Sequence, residues 1–131
     1  MNAVPLDRLR IRDLRVRCRV GVTALERGKP QELLLTITLH ADLRHACRSD
    51  RLRDSVDYKA IKQRILAEGE TRVFHLIERL AERVAAIGLR APRVERVDVV
   101  VQKPGALRFA RCSEVEITRE KGRAQAGRRS R

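Results

Sequence analysis

Few side chains in this 131-residue sequence are suited to chemistry, and most are soon set aside. His40, His45 and His75 form neither an HxH nor an HExxH pair, which gives no support to a metal site. Cys18, Cys47 and Cys112 are odd in number and lack a CxxC spacing, the pattern of reduced thiols in a cytosolic protein. Carboxylates, lysines and a single phenol remain. Glu26 lies in a loop five residues beyond Gly21. Tyr58 is the only tyrosine and falls at a helix start. Glu78 follows Ile77 within an amphipathic helix, and Lys103 stands between a strand and Pro104. A carboxylate accepts paired hydrogen bonds, an ammonium group delivers a proton, and a phenol relays one. Each residue also has an ordinary reading. Glu26 would pair with Arg27, Tyr58 would pack in an interface, Glu78 would pair with an arginine one turn away, and Lys103 would be a turn lysine. Spacing alone favours the ordinary reading of Lys103.

The elements that must position these groups follow from periodicity. Residues 8–20 alternate basic and apolar, with Leu9 and Ile11 on one parity and Leu14, Val16, Cys18 and Val20 on the other. Two residues per repeat is the strand period, and the parity change near Arg12–Asp13 predicts a β-bulge. Gly21, Gly28 and Pro30 mark a loop. Residues 32–40 form a second strand, pairing with the first as a long hairpin. Residues 41–55 are polar and predicted to be irregular, with room for a short helical turn. A helix is predicted from about Ser55 to Glu68, ended by Gly69, and another from about Val73 to Leu89, ended by Pro92. Residues 94–102 and 112–119 complete the set as strands. The order β-β-α-α-β-β closes most naturally as an α+β fold, a four-stranded antiparallel sheet with both helices on one face. Its two long edges invite pairing with further copies of the chain.

Composition bounds the function. The chain is 43% apolar but has only Tyr58, Phe74 and Phe109 as aromatics, so one domain with a modest core is expected over residues 1–120. The formal charge is +13, and residues 121–131 hold five basic residues and no acid, a tail expected to be disordered. So basic a chain raises nucleic-acid binding, yet no recognised motif or cluster of stacking aromatics supports it. No apolar run reaches membrane-spanning length, and no apolar signal core opens the chain.

Four segments stand out together: Gly21-Val22 through Leu25-Glu26-Arg27 and Gln31; Ser49-Asp50 through Asp54-Ser55-Val56-Asp57-Tyr58; Leu76-Ile77-Glu78 with Leu80-Ala81-Glu82-Arg83; and Lys103-Pro104. In this order they resemble the dihydroneopterin aldolase family over roughly residues 7–119. The resemblance implies the tunnelling fold, in which subunits close a β-barrel as a homo-oligomer, a tetramer or an octamer. It implies retro-aldol cleavage of a pterin with no metal or organic cofactor, in the cytoplasm. It assigns Lys103, Tyr58 and Glu26 to catalysis, with Tyr58 on a neighbouring subunit. Glu78, Ile77, Val22 and Val56 would bind substrate. Gln31, Asp50 and Asp54 match family positions as loop-ordering groups. His75 reads as solvent-facing or capping. The stretch Ala106-Leu107-Arg108-Phe109-Ala110 looks more like the branch that epimerises dihydroneopterin triphosphate, whereas Lys103-Pro104 looks more like the aldolases. Non-catalytic pterin or purine binding is a third possibility.

Overall fold

A computed structural model describes residues 5–122, so the tail expectation falls almost entirely outside the described residues. The elements run β1 (Asp7–Val20), α1 (Ala24–Arg27), β2 (Gln31–Ala41), α2 (Arg44–Ser49), a 3₁₀ turn (Leu52–Asp54), α3 (Tyr58–Thr71), β3 (Val73–Phe74), α4 (Ile77–Leu89), β4 (Val94–Pro104) and β5 (Cys112–Glu120). The sheet order is β3-β1-β2-β4-β5. The four long strands are antiparallel neighbours, as periodicity predicts. The sheet has five strands rather than four, because Val73–Phe74 pairs in parallel with Arg19–Val20. The same pairing corrects the start of the last helix. Two β-branched or aromatic residues join the sheet first, and α4 begins at Ile77.

Alternation decides which face is dry. Val16 lies opposite Leu33, and Ile37 lies between Ile11 and Val99. Leu33, Leu35, Ile37 and Leu39 of β2 are fully buried, as are Val97, Val99 and Val101 of β4. Leu80, Ala81, Val84 and Ala85 of α4 and Ile61 and Ile65 of α3 share that core. The strand register shifts between Ile11 and Leu14, and Asp13 takes φ 56°, so the bulge lies where the parity changes. The helix-free face is polar. His40 Nε2 lies 2.7 Å from Asp98 Oδ2, Thr118 Oγ1 donates to Asp98 Oδ1 at 2.7 Å, and Arg10 Nε donates to Thr38 Oγ1 at 3.2 Å.

Gly69 does not end its helix. It is buried inside α3, where an added Cβ would overlap Val16 Cγ1 of β1. The missing side chain lets the helix approach the sheet, and the helix runs on to Thr71. Gly69→Ala is expected to destabilise the fold by about 1–3 kcal/mol despite alanine's better helix propensity. A lowered thermal midpoint checks this; an unchanged or raised one shows that Val16 yields freely.

Candidate functional site

Strand β1 ends at Val20, and the chain turns through Gly21 and Val22 into α1. Thr23 caps this single turn: its hydroxyl accepts from Glu26 N at 3.2 Å, and Glu26 Oε1 accepts in return from Thr23 N at 3.4 Å and Val22 N at 3.1 Å. This is a capping box, and Glu26 is its acidic member. Gly21 makes it possible, since an added Cβ there would meet Glu26 Cβ at 2.3 Å. Gln31 secures the base of the loop by donating to Val20 O at 2.6 Å.

The other Glu26 oxygen, Oε2, receives Lys103 Nζ at 3.2 Å. Lys103 is not in a turn. It belongs to β4, paired with Ser113, and Pro104 closes the ladder opposite Cys112. Proline is tolerated at a strand end, where a missing N–H breaks no central ladder. The Lys103 side chain is 14% exposed. The hydrogen bond from Lys103 holds the Glu26 carboxyl below its ordinary 4.5, helped by the Thr23 amide. Arg27 is not the partner of Glu26; its guanidinium donates to Gly21 O and Val22 O, both at 2.9 Å.

Glu78 occupies the first turn of α4, where unpaired helix amides favour an anion. It is exposed and holds no ion pair or hydrogen bond with the other described residues. Neighbouring carboxylates do find arginines: Arg83 pairs with Glu68 at 2.8 Å, and Arg119 pairs with Glu82 at 2.9 Å. A cleft of about 350 Å³ brings Val22, Ile77, Glu78 and Lys103 together, with His75, Ser113 and Glu114 on its walls. Ser113 and Glu114 are absent from the sequence reading. The β4–β5 register, which sets Ser113 beside Lys103, was the signal for them.

Val56 and Tyr58 lie elsewhere. Val56 is a core side chain, buried to 2% exposure, and lines a separate cavity of about 560 Å³ with Ile61, Ile87 and Arg93. That cavity is at the C-terminal end of α4, whereas Glu78 is at its start. At ~1.5 Å per residue, the helix separates the two by about 14 Å. Tyr58, half exposed, follows Asp57 of that cavity's lining and is not among the residues that line the cleft of Glu78. Asp54 orders this region by accepting Ser49 Oγ at 2.6 Å. Asp50 ends α2 in the left-handed conformation. Burial pushes the Cys18 thiol up to about 11, which leaves it unsuited to be a nucleophile. No group of three or more His, Cys, Asp or Glu suited to a metal occurs among the described residues, and no helix there is long and apolar enough to cross a membrane.

Comparison with known proteins bears on this arrangement. Residues 9–118 match the family model for dihydroneopterin aldolase. A dihydroneopterin aldolase of Streptomyces coelicolor is 35% identical over 113 residues, covering 86% of this chain and 95% of the relative. A folic acid synthesis protein of Dictyostelium discoideum is 34% identical over 114 residues, but the chain spans only 17% of its length. A dihydroneopterin triphosphate 2′-epimerase of Pseudomonas aeruginosa is 28% identical, covering 86% of this chain and 91% of the relative. The crystal structure of Escherichia coli dihydroneopterin aldolase in complex with neopterin superposes with a TM-score of 0.79 at 33% identity, over 86% of this chain and 98% of that one.

The Glu26 carboxyl should titrate below 4.5, so the ion pair is complete above that value and is lost as pH falls through the folded one. Lys103→Met should return the midpoint toward 4.5, read by NMR of the side-chain carboxyl. A midpoint that ignores the substitution would deny the contact any electrostatic weight.

Proposed function

The chain belongs to the dihydroneopterin aldolase family, and on that premise we propose that it is a carbon–carbon lyase acting on 7,8-dihydroneopterin. The products are 6-hydroxymethyl-7,8-dihydropterin, a folate precursor, and glycolaldehyde. One observation carries the reading: an unpaired carboxylate, Glu78, and a largely buried ammonium group, Lys103, line one cleft.

The chemistry suits those groups. The pterin edge presents an amide N–H beside an amino group, and Glu78 accepts both. Ile77 and Val22 flank the ring. Cleavage breaks the bond between C1′ and C2′ of the side chain. The C2′ hydroxyl loses its proton and becomes the aldehyde, and the bonding pair flows into the N5=C6 imine. Lys103 protonates N5, and Glu26 steadies its charge between turnovers. A proton then reaches C1′ as N5 releases its own, which leaves the hydroxymethyl group. The ring is its own electron sink, so the reading needs no metal or organic cofactor. Tyr58 of a neighbouring subunit relays the hydroxyl proton, with Val56 beside it. Its place outside the cleft that Glu78 and Lys103 line supports a site shared between subunits, in a ring-shaped homo-oligomer. Free Cys18, Cys47 and Cys112 suit a reducing compartment, and we place the enzyme in the cytoplasm.

Epimerisation at C2′ is the second reading, favoured by the Ala106–Ala110 stretch and by the epimerase relative. It needs the same cleavage, followed by re-addition of retained aldehyde to the other face. Chromatography of products from dihydroneopterin and from its triphosphate decides. Hydroxymethyl-dihydropterin with glycolaldehyde is expected; the 2′-epimer alone would overturn the aldolase assignment.

Lys103→Ala should hold pterin affinity within a few-fold and lower turnover by about 10²-fold or more. Glu78→Ala should weaken pterin binding by about 10–100-fold. Loss of turnover without loss of affinity in Glu78→Ala would remove its assigned role. Tyr58→Phe and Lys103→Ala subunits, each weakly active alone, should regain activity when unfolded together and co-assembled. Failure of mixed particles to exceed either parent would place Tyr58 outside the shared site.

A further inference from the structure

The cleft of Glu78 and Lys103 has one hydroxyl side chain on its wall, that of Ser113. Register and parity fix the face it occupies. Ser113 of β5 is the cross-strand partner of Lys103 of β4. Such partners set their side chains on one face of the sheet, with Cβ atoms about 5 Å apart. That face is the dry one. Lys103 follows the parity of Val99 and Val101, and Ser113 follows that of Val115 and Ile117, all packed in or against the core. Glu114 takes the opposite parity, and its carboxylate accepts from Gln102 Nε2 at 2.8 Å. Helix α4 packs over β4 and β5. Lys103 is therefore met by Glu26 from the β1–β2 loop, at 3.2 Å, and by Ser113 from the strand that α4 covers.

Ser113 is half-buried, and its hydroxyl makes no hydrogen bond with the other described residues. No buried side-chain nitrogen or oxygen among those residues lacks a partner. The Ser113 oxygen is consequently not sealed in, and the space it opens to is the cleft. A serine hydroxyl donates one hydrogen bond and rotates to suit its acceptor.

The order of polar atoms along a pterin edge says which acceptor that is. The amino group and amide N–H come first, the carbonyl oxygen on C4 next, and N5 last. With the first two on Glu78 and N5 at Lys103, the C4 oxygen meets the wall between them. We propose that Ser113 donates its hydroxyl to the C4 carbonyl oxygen and is a specificity-determining residue of this chain. The inference rests on the pterin reading above and adds a third polar contact to it. The contact fixes the ring in its plane, which two contacts at the ends of an edge leave free to slide. It also selects ligands that carry a strong acceptor at C4, because a site built around a hydrogen bond rejects the analogue that lacks it.

Calorimetric titration with 6-hydroxymethylpterin and its 4-thioxo analogue tests the contact. Sulfur is a weak acceptor, and the exchange leaves the N–H and amino group that Glu78 accepts unchanged. The wild type should bind the oxo ligand about threefold to tenfold more tightly than the thioxo ligand. Ser113→Ala should weaken the oxo ligand by a similar factor, leave the thioxo ligand nearly unaffected and bring the ratio toward one, as expected of two coupled changes. Ser113→Thr, which retains the hydroxyl, should retain the ratio, and circular dichroism should find both variants folded. A ratio that Ser113→Ala leaves unchanged overturns the contact while leaving the pterin site in place. A wild type that binds neither ligand overturns the pterin reading itself.

Discussion

The fold depends on one constraint: its helices cover only one face of the sheet. Strand side chains alternate strictly between faces, so each long strand must divide its residues into a dry set and a wet set. On the dry side, Leu33, Leu35, Ile37 and Leu39 meet α3 and α4. On the wet side, polar groups must satisfy one another, and His40, Asp98 and Thr118 do so by hydrogen bonding. Desolvation opposes charge on Asp98, but the bonds from His40 and Thr118 outweigh it and hold its carboxyl below the usual range. The bulge at Asp13 keeps β1 true to this division after one residue has been inserted.

The candidate site grows from the end of that layered unit. Strand β1 stops, and its following turn must be capped before β2 can return. Glu26 performs that capping with one oxygen and holds Lys103 with the other. A residue that orders a loop thereby also fixes the direction of an ammonium group 77 positions away. β3 tethers the same corner, since Gly21 N donates to Phe74 O at 3.1 Å just before α4 begins. Glu78 consequently projects from a helix start whose position is tied to the loop holding Glu26. Preorganisation of this kind lets a site act without first rearranging.

Charge has two separate roles. Near the cleft it is local and paired, as between Glu26 and Lys103, or unpaired among the described residues, as at Glu78. Along the lateral strands it is collective, with arginines on β1 and glutamates on β5. The high positive charge of the sequence therefore does not report one function. Part of it covers a sheet face, and part engages in ion pairs such as Arg83 with Glu68.

The types of the long elements, the first hairpin, the dry face and the bulge were legible in the sequence, because each rests on contacts between near neighbours and on a period of 2 or 3.6. The residues of the cleft were legible only through resemblance, since nothing in their spacing separates Lys103 from a turn lysine. Tertiary structure decided the rest. Val73–Phe74 has helix-compatible periodicity but pairs with Arg19–Val20, a choice made by the edge it meets. Gly69 looks like a helix end but is a point of close approach to Val16. Glu26 found Lys103 rather than Arg27, and Tyr58 lies outside the cleft that Glu78 lines. These outcomes depend on which surfaces meet after the chain closes on itself, and a periodic pattern carries no information about distance between elements far apart in sequence.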